Sequence, residues 1–267
     1  MNKDVNPPRG NRDFLPLEKQ KREQVLGVIV DTYRQHGFQQ IEAPVMEDLA
    51  RLTSGQGGDN EKLAFRVMKR GEDLDRALED NSGADSLADL GLRYDLTVPL
   101  TRFYATNRAK LPTVFKSIQT GPVFRAERPQ KGRYRQFVQC DIDIIGDSTE
   151  LAEVELLNAS LDALAAIGLV DATIRVNHRS LLSANIAALG VAEDQAASAM
   201  ITIDKLDKLG IDGVVAEMET KFGSTAAAKA GEWLRSIEGG LEVPAELVNL
   251  FAIVGARHPG KLRFDPT

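Results

Sequence analysis

The sequence predicts an α+β fold in which an antiparallel sheet is flanked by helices and followed by a small all-helical domain. Short segments of alternating apolar and polar residues before residue 180 indicate strands. Residues 180–256, in contrast, are alanine-rich and helical in period, without a convincing strand. The last residues alternate again, as a strand returning to the sheet would. We therefore divide the chain into a core of residues 1–179, a helical insertion of residues 180–256 and a return strand of residues 257–267.

Residue spacing predicts the first elements of the core. Leu17–His36 has apolar residues at the three- and four-residue spacing of an amphipathic helix, and Gly37 ends it. The extended run GFQQIEAPVMED contains Pro44, which places it at an edge or a bend. The next segments are predicted as a flexible turn (54–62), a short strand (63–70) and an acidic connection (71–91).

A second helix and a further strand close the core. Asp147–Gly168 has a helical apolar stripe, and Asp147 with Glu150 predicts a capping box at its start. Ala172–Asn177 alternates as a strand. A long helix followed by a strand that runs back fits one sheet with helices on its flank.

The segment of residues 121–146, GPVFRAERPQKGRYRQFVQCDIDIIG, is the most informative part of the chain. It is typical of two strands joined by a basic loop, with Arg125 and Glu127 on one face of the first strand. On the second strand, alternation groups these side chains on one face: Arg133, Arg135, Phe137, Gln139, Asp141 and Asp143. Cations therefore lie near the loop, an aromatic ring lies midway and carboxylates lie at the far end.

This order of side chains fits a nucleotide bound beside an amino acid. Guanidinium groups bind phosphate oxygens through paired hydrogen bonds, an aromatic ring stacks on a purine, and carboxylates bind an ammonium group. The alternative is an edge hairpin with a solvated charged face. The sign order of the charges, with Phe137 among them, favours the binding site, since a solvated face needs neither.

Composition limits the class of protein. The chain has 267 residues, of which 43% are hydrophobic, enough for a sizeable core. Its net charge of -6 argues against a broad nucleic-acid surface, although a local basic strip remains compatible with it. No apolar run of about 18 residues and no apolar leader occur, so no membrane association is expected and the cytoplasm is the expected location. The single cysteine, Cys140, and three scattered histidines predict no disulfide and no metal site.

Three segments carry a resemblance to a known family. Residues 121–146 resemble motif 2 of the class II aminoacyl-tRNA synthetases, in the form found in histidyl-tRNA synthetases. Pro8–Pro16, PRGNRDFLP, is similar to that family's N-terminal signature, although Asn11 stands where threonine or methionine is more usual. Leu92–Arg102, LRYDLTVPLTR, resembles the family's histidine-binding segment, with Asp95 where many bacterial members have glutamate. The three matches also follow the family's order along the chain.

The resemblance implies a class II synthetase fold and a histidine-tRNA ligase activity. Histidine would be activated with ATP to histidyl-adenylate, with Mg²⁺ as the cation, and then transferred to tRNA(His). The implied ATP-binding residues are Arg125 at the α-phosphate, Arg133 at the γ-phosphate, Glu127 at the adenine amino group and Phe137 stacked on the ring. The implied histidine-binding residues are Asp95, Thr97, Gln139 and Asp143. Arg125 and Gln139 are the catalytic candidates, and Asp141 is a weaker candidate that would stand behind the histidine-binding residues.

The resemblance also bears on assembly and completeness. The helix and strand around Pro44 are similar to motif 1, which implies a homodimer, and residues 180–256 are similar to the family's insertion domain. In the family, a run like HPGKLRFDPT precedes a second histidine-specific segment with a catalytic arginine, and then motif 3. We therefore expect a fragment of such an enzyme. Losing one such arginine commonly costs about a hundredfold to a thousandfold in rate, so the fragment is expected to bind its substrates and to be nearly inert.

Two other functions share this fold. One is the non-catalytic regulatory subunit of ATP phosphoribosyltransferase, a paralogue that acts in histidine biosynthesis. The other is a synthetase-like module that only binds RNA. The intact set of Arg125, Glu127 and Arg133 favours the ligase, because a protein without ATP chemistry has no need of it.

Overall fold

The computed structural model describes residues 5–54, 63–80, 83–237 and 241–267. Contacts divide the chain into two compact units, residues 1–152 and 153–267. The turn predicted at residues 54–62 lies, apart from Ser54, outside the described residues. The division into 1–179, 180–256 and 257–267 stays a prediction.

The first unit combines helices with two small sheets. Its helices are α1 (Pro16–Gln35), α2 (Leu49–Thr53), α3 (Glu72–Glu79) and α4 (Thr97–Asn107). Its strands are β1 (Gln39–Ile41), β2 (Met46–Asp48), β3 (Phe65–Met68), β4 (Ala88–Leu92), β5 (Phe115–Phe124) and β6 (Gln136–Ile145). One sheet has the order β1-β5-β6 and the other β2-β4-β3. Mixed helix and sheet of this kind confirm the α+β class.

Helix α1 follows the sequence prediction closely. Pro16 occupies the first turn, where its missing N–H is not needed, and the Glu18 carboxylate accepts a hydrogen bond from the Leu15 N–H at 3.2 Å. Gly37, just beyond the helix, has φ of 80°, a conformation that favours glycine. The predicted start and stop at residues 17 and 36 are thereby confirmed within one residue.

Strand pairing departs in part from the predicted antiparallel sheet. β5 and β6 pair antiparallel over their full length, and β4 pairs antiparallel with both β2 and β3. β1, however, runs parallel to β5. A parallel neighbour requires a long crossover connection, and nothing in the three residues of β1 encodes it.

The prediction that residues 71–91 form an irregular acidic connection is wrong. The segment contains helix α3 and most of β4. The first turn of α3 carries Glu72, Asp73 and Asp75, whose charges complement the positive end of the helix dipole. β4 lies between β2 and β3, which are both earlier in the chain. The pairing with these two strands therefore defines β4, because its sequence, ADLGL, does not alternate clearly between apolar and polar residues.

The start of α5 (Glu150–Ala166) corrects the predicted capping box. The Asp147 carboxylate accepts a hydrogen bond from the Thr149 N–H at 2.8 Å, and the Thr149 hydroxyl oxygen accepts one from the Leu151 N–H at 3.3 Å. Thr149 is therefore the N-cap, because it stands directly before the first helical residue. Asp147 instead shapes the turn that leads to it.

The second unit is mainly helical. After α5 it contains the strands β7 (Ile174–Val176) and β8 (Leu262–Phe264) and the helices α6 (Arg179–Ala188), α7 (Ala196–Ile203), α8 (Leu206–Phe222), α9 (Ser224–Ile237) and α10 (Ala245–Arg257). Side chains of α6 to α9 share one core that includes Ile203, Met218 and Leu234. The segment predicted as a return strand contains β8, which pairs parallel with β7. The prediction that both strands join the sheet of the core is wrong, because β7 and β8 form a two-stranded sheet of their own.

Candidate active site

The register of β5 and β6 groups the polar side chains of the predicted hairpin on one face of the sheet. Directly opposite residues share a face, and the pairs are Ser117 with Asp143, Gln119 with Asp141, Gly121 with Gln139 and Val123 with Phe137. Ile142 and Val138 lie on the opposite face, as the alternation predicted. We call the face that carries Phe137, Gln139, Asp141 and Asp143 the polar face of β6.

The two arginines nearest the loop do not belong to the strand. β6 begins at Gln136, so Arg133 and Arg135 lie in the connection from β5. The Arg135 N–H donates to the Gly10 carbonyl at 2.7 Å, and Gln130 and Arg133 exchange backbone hydrogen bonds. The prediction that Arg133 and Arg135 alternate with Phe137 on one strand is therefore wrong, because contacts with the N-terminal segment set this backbone instead.

The loop nevertheless brings Arg125 close to the polar face and pairs Glu127 with Arg133. β5 ends at Phe124, so the prediction that Arg125 and Glu127 share one face of the first strand is wrong: both lie in the loop. The Arg125 Nε donates to the Tyr94 carbonyl at 3.1 Å, and its guanidinium lies 5.1 Å from the ring centroid of Phe137. Glu127 and Arg133 form an ion pair at 3.3 Å, in which the Arg133 side chain is 66% exposed. Arg125 is thus fixed in place, whereas Arg133 stays accessible to solvent.

The predicted histidine-binding segment docks on the same strands. Asp95 lies in the turn before α4, where its Oδ1 accepts a hydrogen bond from the Val98 N–H at 3.2 Å. The Gln119 amide donates to the Leu96 carbonyl at 3.0 Å and so ties this turn to β5. Thr97 is the first residue of α4 and is exposed.

A buried arginine that the sequence reasoning missed aligns these segments. Arg93 is 4% exposed, and it donates from Nη1 to the Ala43 carbonyl at 2.8 Å and from Nε to the Pro122 carbonyl at 3.0 Å. A Cβ at position 121 would lie 2.3 Å from the Arg93 Nη2, so only glycine leaves room for the guanidinium. In the sequence, the burial of Arg93 is indicated by its position between the apolar Leu92 and the aromatic Tyr94.

A second ion pair holds α4. The Arg102 guanidinium contacts the buried Glu47 carboxylate at 2.5 Å and so joins α4 to β2. Removing one partner of such a pair leaves the other charge buried and uncompensated, which destabilises the fold. Both ends of the Asp95 segment are therefore anchored, by Arg93 at its start and by Arg102 beyond it.

Three carboxylates influence one another around the polar face. Burial raises the pKa of Asp143 to about 6, and the nearby charges of Asp141 and Asp95 add to the shift. Burial also raises the pKa of Asp141, with Asp95 raising it further and Arg125 opposing. The pKa of Asp95 is raised by burial too, while the Val98 N–H and Arg125 lower it. A positively charged ligand placed here would stabilise the ionised forms of these carboxylates.

Several buried oxygens on the polar face have no hydrogen-bond partner among the residues that the structure describes. They are the side-chain oxygens Ser117 Oγ, Gln119 Oε1, Gln139 Oε1 and Asp143 Oδ2. Buried polar atoms are normally paired, and all four can accept a hydrogen bond. The arrangement therefore fits a ligand with several N–H donors and a positive charge.

Asp143→Asn is expected to stabilise the fold above about pH 6 and to leave stability unchanged below the ordinary pKa of 3.8. A raised pKa in the folded state means that ionising Asp143 costs stability, and this cost is absent while the carboxyl is protonated. Urea denaturation of parent and variant between pH 4 and pH 8 measures the difference. Asp147→Asn should instead destabilise the fold above the ordinary pKa of 3.8, since hydrogen bonds from Thr149 lower the pKa of Asp147 in the folded state.

Comparison with known proteins matches this geometry to one family. A family model described as "Histidyl-tRNA synthetase" matches residues 10–258. A histidine--tRNA ligase of Leifsonia xyli subsp. xyli is 52% identical over 287 residues, which cover 98% of this chain and 66% of the relative. A probable histidine--tRNA ligase of Tropheryma whipplei is 47% identical over 214 residues, which cover 80% of this chain and 50% of the relative. The chain thus spans about half to two thirds of the length of these relatives.

Solved structures show the same fold. The crystal structure of a histidyl-tRNA synthetase from Nostoc sp. PCC 7120 superposes with a TM-score of 0.68 at 25% identity, covering 97% of this chain and 54% of that one. A structure from Bacillus halodurans, described as an ATP phosphoribosyltransferase regulatory subunit/histidyl-tRNA synthetase, superposes with a TM-score of 0.72. At 18% identity, with 99% of this chain and 69% of that one covered, the second likeness bears on the fold alone.

Proposed function

The chain belongs to the histidyl-tRNA synthetase family, and from that premise we propose that it carries the site at which a histidine--tRNA ligase activates its amino acid. In the proposed reaction, a carboxylate oxygen of histidine attacks the α-phosphorus of ATP. The new P–O bond gives histidyl-adenylate, and pyrophosphate leaves as the α–β anhydride bond breaks. A terminal ribose hydroxyl of tRNA(His) then takes the histidyl group and releases AMP.

The observation that carries this proposal is the sorting of charge around the polar face. Arg125, held by the Tyr94 carbonyl and lying near the Phe137 ring, stands at the end of the face where phosphate and purine would bind. The carboxylates and the unpaired oxygens stand at the other end, where an ammonium group would bind. A fixed guanidinium stabilises the negative charge that develops at the α-phosphate without having to reorganise first.

The remaining roles are assigned by position. Glu127 would accept a hydrogen bond from the adenine amino group, Phe137 would stack on the ring, and the exposed Arg133 would meet the γ-phosphate. Asp95, Thr97 and Gln139 would hold the α-ammonium, with Gln139 orienting the attacking carboxylate, and Asp143 would line the pocket. Mg²⁺ would neutralise phosphate charge and be held mainly by phosphate oxygens and water, since this ion keeps much of its hydration.

The proposed assembly is a homodimer that meets its partner through α1 and the segment after it. Exposed apolar side chains of α1 and its preceding residue support this surface: Leu15, Leu17, Val25 and Val28 are 68%, 63%, 45% and 37% exposed. Sedimentation equilibrium tests the assembly, and a monomer at micromolar concentration would contradict it. No helix in the described ranges is long and apolar enough to cross a bilayer. The cytoplasm, where charged tRNA is used, is the proposed location.

Isothermal titration calorimetry and pyrophosphate exchange test the function. We expect the chain to bind ATP and L-histidine separately and to show slow but measurable exchange of labelled pyrophosphate into ATP that depends on histidine. Other amino acids, such as L-phenylalanine, serve as controls and should support no exchange. Histidine binding without ATP binding would contradict the ligase and favour the regulatory subunit. Binding of neither ligand would contradict both.

A further inference from the structure

The N-terminal segment of residues 8–14 packs against the loop of residues 125–135, which joins β5 to β6. We infer that Arg12 is a positioning residue for the nucleotide half of the site. It holds the outer part of this loop, residues 127–134, and so fixes Glu127 and Arg133 where they would meet ATP. This inference rests on the function proposed above, and Arg12 itself would touch neither substrate.

Arg12 joins the loop to helix α1 through two aromatic rings. Its guanidinium carbon lies 4.8 Å from the ring centroid of Tyr134, in the loop, and 4.2 Å from that of Phe14. The guanidinium carbon of Arg22, on α1, lies 4.4 Å from the same Phe14 ring. Guanidinium groups at these distances are attracted to the faces of the rings. The contacts therefore run without a break from the loop, through Arg12 and Phe14, to the helix.

Gly10 brings the backbone of the N-terminal segment close to the loop. Its carbonyl accepts the hydrogen bond from the Arg135 N–H, and its φ of 84° lies in the region that favours glycine. A Cβ at position 10 would lie 2.9 Å from the Arg135 side chain and 3.1 Å from the Cβ of Pro129. The segment thus contacts the loop at its end, through Arg135, and in its outer part, through Pro129.

Two polar contacts in the outer part of the loop join residues of the loop to each other. Gln130 and Arg133 exchange backbone hydrogen bonds, and the Arg133 guanidinium pairs with the Glu127 carboxylate at 3.3 Å. Contacts inside a loop do not fix its position on the sheet. Tyr134 directly follows Arg133 and contacts Arg12, so it ties the outer part to the N-terminal segment.

Loss of Arg12 is expected to act on the affinity for ATP and to spare the maximal rate. Exposed cation–π contacts are individually weak, so removing two of them leaves the unit folded and lets the loop leave its position for part of the time. If the ordered loop is populated to about a tenth, the apparent affinity for ATP falls about tenfold. Saturating ATP then restores the ordered loop, because a ligand shifts the protein towards the arrangement that it binds better.

Arg12→Ala tests the inference by calorimetry and by pyrophosphate exchange. We expect the affinity for ATP to fall and the KM for ATP to rise about tenfold, with L-histidine affinity and the maximal exchange rate within about twofold of the parent. Arg12→Lys keeps the charge and should recover most of the ATP affinity, since an ammonium group also binds ring faces. Arg108→Ala removes an exposed arginine of the same unit, and as the matched control it should change the affinity for neither ligand.

Trypsin digestion measures the order of the loop directly. Lys131 and Arg133 are exposed cleavage sites within it. Arg12→Ala should be cleaved after these residues at least about fivefold faster than the parent, because proteolysis follows the population of the open form. Saturating ATP should slow this cleavage, and mass spectrometry assigns each cut to its residue.

A double-mutant cycle isolates the contact between Arg12 and Tyr134. Tyr134→Leu removes the other partner of this contact and should weaken ATP binding to a similar extent. The double variant should be no weaker than either single variant, because both changes remove the same interaction.

An unchanged ATP affinity in Arg12→Ala would overturn the inference, as would additive effects of Arg12→Ala and Tyr134→Leu. Equal losses of ATP and histidine binding, together with a lower thermal midpoint, would also overturn it by showing a general structural role. In each of these cases the parent chain still binds ATP and histidine, so the proposed function stands. A parent chain that binds neither ligand overturns the proposed function and this inference with it.

Discussion

Replacing Arg125 by alanine is expected to slow histidine-dependent pyrophosphate exchange by about a hundredfold to a thousandfold and to weaken ATP binding at least about tenfold. The reason is geometric. The Tyr94 carbonyl and the Phe137 ring hold the guanidinium in place, so in the proposed reaction it would contribute its charge to the α-phosphate without reorganising. Exchange kinetics and calorimetry with ATP measure the two effects.

The fold should tolerate this change. Arg125→Ala removes one hydrogen bond and one cation–π contact, each worth about 1 kcal/mol, and leaves the strand pairing intact. Arg108→Ala, which removes an exposed arginine of the same unit, is the charge-matched control and should keep exchange near the parent rate. An unfolded Arg125→Ala variant would show that Arg125 has a packing role instead, and a folded variant with parental exchange would contradict its role in the reaction.

Replacing Asp95 should abolish most histidine binding while sparing ATP. Asp95→Asn removes the charge but keeps an oxygen that accepts from the Val98 N–H, so α4 should start as before. We expect histidine affinity to fall about 100-fold or more, because an α-ammonium would lose its charged partner in a partly buried site. Titrations with histidine and with ATP on the same preparation give both affinities.

The comparison with Asp95→Ala separates binding from capping. Alanine removes both the charge and the acceptor of the Val98 N–H, so it should lose histidine binding to the same extent and also lower the free energy of unfolding by about 1 kcal/mol. Asp89→Asn, an exposed carboxylate on β4, is the control and should change neither. Equal loss of ATP and histidine binding in Asp95→Asn would contradict its assignment to the amino acid.

The predictions that succeeded were local in origin. The polar face of β6 follows from alternation along ten residues, and Gln139, Asp141 and Asp143 do share it with Phe137. The bounds of α1 follow from Pro16 and Gly37, whose backbone preferences act within one turn. Both patterns are properties of a short stretch of chain, so they could be seen before any tertiary contact was known.

The predictions that failed depended on partners far away in the chain. Arg133 and Arg135 lie outside the strand because the backbone of the loop forms hydrogen bonds with Gly10 and within the loop. Residues 71–91 contain α3 and most of β4, and β4 is stabilised by pairing with β2 and β3. Arg93 gave no motif of its own. Its partners are the carbonyls of Ala43 and Pro122, which lie 50 and 29 residues away.

By itself, the sequence determined which side chains share the polar face of β6, since alternation along a strand is set by the chain's own geometry. Only the tertiary structure decided how those side chains are held and which of their oxygens remain unpaired. Hydrogen-bond satisfaction depends on every segment that packs against the sheet. Gln119, for example, belongs to no motif in the sequence, and only the structure shows its amide donating to the Leu96 carbonyl.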